Sequence, residues 1–594
     1  MILSRREFFS IFLMMLALFF IFQFSQVVKT NGNEYNRNDF AKDNKQPKMS
    51  DVKTDRPDKT VWIVAAEDGK IADSARQWCI YTKRGYTIFD SLPEPDGSGT
   101  VKTIIIDCNT VNIEGKTDEL YRLADMGATM IMANLPSSRY IDGNAGLKEL
   151  LGITEVVEND VHINGIQIFD GFMIGGETVY IAHNENEKKF EDINLDVPWY
   201  NTGIGTKTYI VGVMDENQVH PYDFPKLVWR NYYQGTYIYA VNGEYCDGLM
   251  GIGFYDAMMY DVSDYFLYPV VNANNVMMSD FPYLSDENSE EINRIYSRTA
   301  EGFQKDIAWP GIVAMAKRRD FSLTNFLSTK YDFENNSEYG DDLIFYLQQL
   351  KELGAEAGRS LDYKGDITLG DKLDEDSEFY NNSDCSYDFR SIYLPEWDDS
   401  LPELLRERNI KMKSIVCGMR EGEPVLSFCD EDTTLQYATS RADEYTFKNA
   451  LLYRSLLTSL GYSNVMIDMK KSFWPESADD EWQNFFDYVY SFITTYWSDD
   501  TGFEKTTVSE SDDRVRKMLA LEYIEEKTEN GLSIVTTRVS DAWYVLRTHG
   551  EVVTEVRNGT ATRLERDIYL IHAYNGSTDI SLEESDDIYR YNAR

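Results

Sequence analysis

Residues 268–282, with the sequence YPVVNANNVMMSDFP, decide the fold of this chain of 594 residues. The apolar run Val276–Met278 is typical of a short strand that is buried on both faces. The strand should end near Asp280, because Pro282 cannot continue a central strand and restricts the residue before it. In a β/α barrel, acidic residues at the carboxyl end of a strand are placed to act as catalysts or metal ligands. An aspartate that simply begins a turn before proline is the alternative.

The sequence after Val270 alternates short apolar runs with helical patterns. It predicts a helix over Trp309–Arg319, a strand over Ser322–Leu327, a helix over Tyr445–Leu460 and a strand over Val465–Asp468. About six such units in roughly 230 residues suit a complete or slightly reduced β/α barrel.

Two other regions flank this pattern. Apolar runs at Thr60–Ala66, Lys102–Asp107 and Ala128–Ala133, with a helix between the last two, predict a doubly wound parallel sheet. No GxGxxG, Walker sequence or nucleophile elbow appears there, so a phosphate-binding or acyl-transfer role has no support. Beyond Arg514 the sequence predicts strands, with a hairpin turn at Asn558-Gly559.

The predicted fold class is therefore α/β, with a doubly wound parallel sheet, a β-rich middle segment, a (β/α) barrel and a C-terminal β extension. The predicted segments are an anchor (1–30), a flexible linker (31–58), an amidotransferase-like α/β domain (59–160), a β-rich segment (161–262), the barrel (263–510) and a barrel-closing or accessory β segment (511–594).

Composition narrows the classes of partner. The net charge of −42 excludes nucleic acid as the main partner, since phosphate would be repelled. It is compatible with a cationic ligand such as a deacetylated amino-sugar polymer, although solubility alone also explains it. The chain has five histidines, on which zinc and acid–base sites usually depend. Its six scattered cysteines form no CxxC, so neither a zinc ribbon nor a thioredoxin motif is indicated.

The N-terminus predicts a single-pass membrane anchor. Arg5 and Arg6 precede Phe8–Val28, which has no charged residue, and about 20 such residues cross a bilayer as a helix. The arginines favour a cytoplasmic N-terminus, which places the bulk of the chain outside the cell. A cleaved signal peptide is the alternative, which the bulky residues 22–24 at the expected cleavage position disfavour.

Five segments resemble, in order and spacing, the motif-bearing strands of NodB-type polysaccharide deacetylases (carbohydrate esterase family 4). They are Val270–Pro282, Trp309–Leu327, Glu356–Asp366, Arg390–Pro395 and Val465–Trp482. The chain is most similar to a bacterial branch that joins an amidotransferase-like domain to such a barrel. That branch is associated with Pel-type exopolysaccharide operons of Gram-positive bacteria and resembles the deacetylase part of PelA. The resemblance covers most of the chain after Thr60.

The resemblance implies a metal-dependent mechanism, from which this chain departs. In the family, one Asp and two His hold a divalent metal that polarises the acetamide carbonyl and activates water. Asp280 matches the metal-ligand Asp, but Ser279 replaces the general base. Ser360 and Lys364 occupy the positions of the two imidazoles, and a protonated lysine has no lone pair to offer a metal. We therefore expect no metal ligands and no cofactor, with a divalent metal such as zinc required only if the site is active.

The remaining motifs imply contacts with substrate. Asp468 lies where the acid histidine of the family is expected, so Asp280 and Asp468 are the candidate catalytic carboxylates. The segment Arg390–Pro395 resembles the family loop that positions the base. The predicted substrate-binding residues are Arg390, Tyr393, Trp397 and Glu356.

These observations predict an extracytoplasmic, membrane-anchored protein of exopolysaccharide biosynthesis or modification, more a glycan-binding pseudoenzyme than an active deacetylase. The predicted partners are a polysaccharide, the membrane, and exopolysaccharide synthase or export proteins. Two alternatives stay open. Asp280, Glu356, Glu396 and Asp468 offer carboxylate pairs, with which a glycoside hydrolase needs no histidine. A structural scaffold of a polysaccharide export complex is the other alternative.

Overall fold

The computed structural model describes residues 46–584 except residue 96 and residues 183–190, 215–222, 283–287, 335–340, 384–386, 444–445, 478–479 and 497–501. The predicted anchor lies outside these residues, as does most of the predicted linker. Within the described part of the chain, no helix has the length and apolar character needed to cross a bilayer.

The N-terminal part is built on one nine-stranded sheet with the order β2-β1-β3-β4-β11-β10-β9-β6-β7. Its elements, with the separate β5–β8 pair, are β1 (Lys59–Val64), α1 (Lys70–Tyr81), β2 (Gly85–Phe89), β3 (Thr103–Asp107), α2 (Thr117–Ala124), β4 (Thr129–Asn134), α3 (Ser138–Gly143), α4 (Ala145–Leu151), β5 (Ile153–Ile163), β6 (Gly165–Ile168), β7 (Thr178–Ile181), β8 (Leu195–Thr202), β9 (Thr206–Val213), β10 (Lys226–Tyr233), β11 (Thr236–Val241) and α5 (Met250–Val262). Strands β2, β1, β3, β4 and β11 are parallel, and the remaining neighbours are antiparallel.

Alternate residues of the central strands enter two different cores, so this sheet is buried on both faces. Ile63 and Ile105 pack on the side of α1 and α5, whereas Trp62 and Ile104 pack on the side of α2 and α4. The predicted doubly wound parallel sheet is confirmed. Strands of the predicted β-rich segment continue this same sheet, and the boundary predicted after residue 160 falls within β5.

The middle part contains the predicted barrel. Its elements are β12 (Tyr265–Val270), β13 (Ala273–Ser279), α6 (Ser289–Tyr296), α7 (Ala300–Phe303), α8 (Trp309–Arg319), β14 (Leu323–Leu327), α9 (Asp341–Leu353), β15 (Glu356–Ser360), α10 (Leu369–Asn382), β16 (Ser391–Leu394), α11 (Leu401–Glu407), β17 (Ser414–Gly418), β18 (Leu426–Phe428), β19 (Thr434–Ala438), β20 (Ser440–Arg441), α12 (Phe447–Leu460), β21 (Tyr462–Asp468), α13 (Lys470–Phe473), α14 (Trp482–Tyr496), β22 (Lys505–Thr506) and α15 (Val508–Ala520). The helix predicted over Trp309–Arg319 is confirmed residue for residue.

The barrel closes because the continuous segment β19–β20 pairs with β17 at one end and with β21 at the other. Parallel pairing runs from β21 through β13, β14, β15, β16 and β17 to β19. After Thr439 the chain continues as β20, which pairs in parallel with β21. The Thr439 amide also donates to the carbonyl of Asn464 at 2.8 Å. β19 and β20 together therefore complete a ring of seven parallel strands, which confirms a (β/α) barrel.

Helix α15 fills the amino-terminal end of this barrel. Val508 packs inside it against Met277, Phe326 and Val416. The Ser509 amide and hydroxyl donate to the Glu356 carboxylate at 2.8 and 2.6 Å. This end of the barrel is therefore a sealed base, and a ligand in the barrel must approach from the carboxyl ends of the strands.

The C-terminal part is a pair of antiparallel four-stranded sheets, with the orders β12-β25-β28-β27 and β23-β24-β29-β26. Its strands are β23 (Tyr523–Thr528), β24 (Gly531–Thr536), β25 (Asp541–Thr548), β26 (Glu551–Arg557), β27 (Gly559–Glu565), β28 (Ile568–Tyr574) and β29 (Ser577–Glu584). The hairpin predicted at Asn558-Gly559 is wrong, because β26 pairs with β29 and β27 pairs with β28. Asn558, with a φ of 56°, turns the chain from one sheet into the other. The boundary predicted after residue 510 falls within α15.

Candidate functional site

Asp280 and Asp468 lie side by side at the open end of the barrel. Asp468 is the last residue of β21 and is in register with Ser279, the last residue of β13. Asp280 follows directly, with a φ of 56°, in the left-handed region that non-glycine residues seldom adopt. Its side chain is fully buried. The Ser360 hydroxyl, at the end of β15, donates to Asp280 Oδ1 at 2.5 Å. Three strand ends thus converge at the open end of the barrel.

A lysine occupies the centre of this cluster. Lys470 Nζ lies 3.8 Å from Asp280 Oδ2 and forms an ion pair with Asp362. The Lys470 amide donates to Asp468 Oδ1 at 3.0 Å. The Lys470 side chain is 28% exposed, and the Asp362 and Asp468 side chains are 12% and 16% exposed. One positive charge is therefore held among three largely buried carboxylates.

The electrostatics of the cluster follow from this shared charge. Burial raises the pKa of Asp280 well above its ordinary value, and the Asp362 and Asp468 carboxylates raise it further against the opposing effect of Lys470. Burial lowers the pKa of Lys470, but Asp280, Asp362 and Asp468 outweigh burial and raise it overall. The ammonium therefore stays charged, whereas Asp280 takes up a proton more readily than an exposed carboxyl does.

Further charged side chains lie around this cluster. Arg441 Nη2 donates to Asp468 Oδ2 at 3.3 Å and to Asp443 Oδ2 at 2.9 Å. Lys471 Nζ lies 2.6 Å from the same Asp443 oxygen. The carboxylates at the open end are thus paired with basic side chains of the chain itself.

This set of residues does not fit a divalent metal ion. Lys470 offers only donors and repels a cation, and it faces one oxygen of Asp280 while the Ser360 hydroxyl donates to the other. Among the described residues no group of three His, Cys, Asp or Glu side chains is arranged to hold a metal. The side chains at the open end therefore disagree with the metal-dependent mechanism of the deacetylase family.

The structure places the other predicted residues as follows. Ser279 is buried beside Asp280, and its hydroxyl makes no hydrogen bond to the part of the chain that is described. Lys364 is half exposed, and its Nζ lies 4.0 Å from Asp332 rather than beside Asp280. Tyr393 lines the barrel near Phe326, and burial together with Asp280 raises its pKa.

Trp397 lies in the loop after β16 and donates its indole N–H to Asp399 at 2.6 Å. This loop follows the carboxyl end of the strand, so Trp397 belongs to the open side of the barrel. It is half-buried.

Glu356 and Arg390 lie at the opposite end of the barrel. Glu356 begins β15, and its carboxylate binds the amino end of α15 and the Ser391 hydroxyl. Arg390 precedes β16, and its carbonyl accepts from the Lys413 amide. The prediction that these two residues bind substrate with Asp280 is corrected, since strand starts and strand ends meet at different ends of a parallel barrel.

Sequence reasoning missed Lys470, Asp362 and Arg441. Lys470 stands two residues after Asp468, and Asp362 two residues after Ser360, so each follows a strand end that the sequence did identify. Charged residues just after the predicted strand ends could therefore have been recognised as members of the site. Of the histidines, His162, His549 and His572 lie outside the barrel, and His183 and His220 lie outside the described residues.

A cavity of 310 Å³ lies beside the carboxyl end of β14. It is lined by Thr329 and Lys330 from the loop after this strand and by residues of α10 that include Glu375, Glu378 and Phe379. The two glutamates are exposed and the phenylalanine is half-buried. The cavity combines negative charge with an aromatic edge.

A family model for DUF2194, described as an uncharacterised protein conserved in bacteria, matches residues 156–365. This match begins in β5 and ends just after β15. No curated protein matches the chain.

Solved structures with partial similarity include a candidate polysaccharide deacetylase from Mycobacterium smegmatis (14% identity, 41% of this chain and 90% of that chain, TM-score 0.27). A chitin deacetylase from Colletotrichum lindemuthianum has 13% identity, with 41% of this chain and 87% of that chain covered and a TM-score of 0.22. An exo-β-1,4-mannosidase from Opitutaceae bacterium strain TAV5 has 11% identity, with 34% and 33% covered and a TM-score of 0.23. At these TM-scores the similarities carry no argument about activity. The fold class rests on the strand pairing itself.

Proposed function

We propose that this chain is a glycan-binding, non-hydrolytic relative of polysaccharide deacetylases, anchored in the cell membrane with its bulk outside. In this proposal it serves exopolysaccharide production of the Pel type, together with synthase or export proteins. The N-terminal sequence, the resemblance of the barrel motifs and the acidic composition support the proposal.

The observation that carries the proposal is the ammonium of Lys470 among Asp280, Asp362 and Asp468. A divalent ion at this position would have to displace a like charge that is already hydrogen-bonded. The Lys470 ammonium supplies the positive partner that the buried carboxylates need to stay folded. Unlike a metal ion, it cannot act as a Lewis acid. Glycan binding remains available to the surfaces around the open end.

The cavity beside β14 favours a cationic amino sugar as the bound unit. Glu375 and Glu378 supply exposed carboxylates, and Phe379 supplies an apolar edge. A protonated glucosamine residue presents an ammonium and an apolar ring face, which match these two features. The net charge of −42 also favours a cationic polymer over an anionic one.

The carboxylate-pair hydrolase gains less support from the geometry. Asp280 is fully buried, one of its oxygens accepts from Ser360, and the other faces Lys470. A general acid must reach the glycosidic oxygen of a bound substrate. Asp362 and Asp468 are more exposed, but both are paired with basic residues.

The test uses the full-length chain with β-1,4-linked oligomers of glucosamine and of N-acetylglucosamine. Isothermal titration calorimetry measures binding, acetate release and chain shortening measure hydrolysis, and elemental analysis after incubation with zinc measures metal uptake. We expect the glucosamine oligomer to bind, with affinity falling as salt increases, and neither acetate release nor chain shortening above a protein-free blank.

The double variant Glu375→Gln/Glu378→Gln should weaken this binding. The matched control is Glu403→Gln, which changes an exposed glutamate on α11, another outer helix of the barrel. Stoichiometric zinc together with released acetate would refute the pseudoenzyme assignment. Absence of binding to any oligomer would refute the glycan-binding role and favour the scaffold.

A further inference from the structure

A second cavity, of 380 Å³, lies at the seam between the sealed base of the barrel and the C-terminal sheets. One wall is a face of α15, including Arg514 and Lys517, and the facing wall is formed by β25 and β28 through Asp541, Trp543 and His572. Its volume falls within the range of sites that take small organic ligands. It is separate from the open end of the barrel, which lies at the other end of the strands.

Two ion pairs line this cavity, and its other charged side chains have partners outside it: Asp513 pairs with Lys413, Lys505 donates to the Arg319 carbonyl, and Glu510 accepts from the Thr507 amide. Lys517 forms an ion pair with Asp541, and Arg514 forms one with Glu504. Lys517 and His572 outweigh the effect of burial and hold the pKa of Asp541 below its ordinary value. A ligand with a net charge would have to break one of these pairs, so the walls favour a neutral ligand.

The same pairs present fixed donors and acceptors side by side. A sugar hydroxyl both donates and accepts a hydrogen bond, so it can bridge the members of such a pair without disturbing their charge balance. Hydrogen bonds to charged groups are also stronger than neutral ones. This arrangement therefore suits a polyhydroxylated ring.

Trp543 is a rigid aromatic part of the wall. The His572 ring stacks on it with centroids 3.9 Å apart and planes within 9°, and His572 Nε2 is 2.5 Å from Asp541 Oδ1. The indole N–H of Trp543 makes no hydrogen bond to any residue that the structure describes, and the side chain is half-buried. An indole combines an apolar ring with an N–H donor, which suits an amphipathic ligand.

Part of the cavity lining is apolar. Val270, Met518, Leu521 and Ala542 contribute to it. A pyranose ring has an apolar face formed by its C–H groups, which would cover these side chains while its hydroxyls reach the ion pairs. Because the walls are a regular helix and two paired strands, the groups are held in place before a ligand arrives.

We infer that this cavity is a second carbohydrate-binding site, which takes a neutral sugar ring such as an N-acetylhexosamine. The inference does not rest on the proposed function of the open end. It assigns the C-terminal sheets and α15 a binding role in addition to closing the barrel.

The experiment measures binding of a neutral N-acetylglucosamine tetramer to the full-length chain by calorimetry. Trp543→Phe keeps an aromatic ring and removes the N–H, and we expect an affinity loss of about fivefold to tenfold, the value of one hydrogen bond. Trp199→Phe is the matched control, since it removes an indole N–H that donates to the Asp223 carbonyl in the N-terminal part. It should leave the affinity unchanged.

A second measurement locates the ligand directly. Oxidative footprinting read by mass spectrometry should show that the tetramer protects Trp543 and leaves Trp199 unprotected. The inference is overturned if the wild-type chain does not bind the neutral tetramer, or if it binds while Trp543→Phe has no effect and Trp543 is not protected. The variant Glu375→Gln/Glu378→Gln separates the two sites, because it should weaken only the glucosamine oligomer.

Discussion

Replacing Lys470 by methionine removes the positive charge beside Asp280 and keeps most of the side-chain volume. The Lys470 ammonium lies 3.8 Å from Asp280 Oδ2. At an effective dielectric constant of about 20, this single interaction corresponds to about 4 kcal/mol. Removing one partner of a buried ion pair costs about 3–5 kcal/mol, because the remaining charge is left uncompensated. We therefore expect the variant to lose about 4 kcal/mol of unfolding free energy at neutral pH.

The loss should depend on pH, and the direction follows from the carboxylates. Without Lys470 the pKa of Asp280, already raised by burial, rises further. A carboxyl with a raised folded-state pKa contributes stability at low pH and loses it as pH increases through that pKa. The difference between wild type and Lys470→Met should therefore be largest at neutral pH and shrink as the solution becomes acidic.

Differential scanning calorimetry at about pH 4.5, 6.0 and 7.5 measures the effect, because all three values lie above the ordinary pKa of an aspartate, about 3.9, and burial raises the pKa of Asp280 above that value. For a domain of the barrel's size, about 4 kcal/mol corresponds to a decrease of about 10 °C in Tm. Lys471→Met is the matched control: Lys471 is 40% exposed, and its partner Asp443 keeps Arg441. The control should cost less than about 1 kcal/mol. Equal Tm values for the two variants at every pH would refute the assignment of Lys470 as the cation of this cluster.

Three further predictions concern the buried side chains of Asp280, Glu356 and Lys83. Asp280→Asn removes a carboxyl whose pKa burial raises. The Tm of this variant should therefore increase relative to wild type as pH rises above the ordinary pKa of an aspartate, and a constant difference would contradict this. Glu356→Gln should lower the unfolding free energy by about 1–3 kcal/mol through weaker bonds to Ser509 while leaving glycan affinity unchanged in calorimetry. Lys83 is buried against the Leu519 carbonyl, and burial lowers its pKa from 10.5 to about 7. Between these two pH values the Lys83 amine is protonated in the unfolded chain but not in the folded one. The wild type should therefore lose unfolding free energy as pH falls from about 10 to 7. The Tm of Lys83→Met should vary less over that range.

The sequence predicted the barrel strands and the residues that end them. Asp280 was identified because a short apolar run followed by a polar residue indicates the carboxyl end of a buried strand. Ser360 and Asp468 were identified because they occupy motif positions of the deacetylase family that the sequence resembles. Glu356 and Arg390 were placed with them wrongly. A motif shows which strand a residue belongs to, and only its position along the strand decides which end of the barrel it reaches.

Local pattern by itself determined the parallel sheet, the β/α barrel and the departure of the metal positions from the deacetylase pattern, because side-chain periodicity and residue chemistry are properties of short stretches. The tertiary structure alone decided that Lys470 lies among three carboxylates, that α15 seals the base, and that the middle strands extend the N-terminal sheet. Each of these depends on residues far apart in the chain, whose charges and backbone groups find partners only after folding.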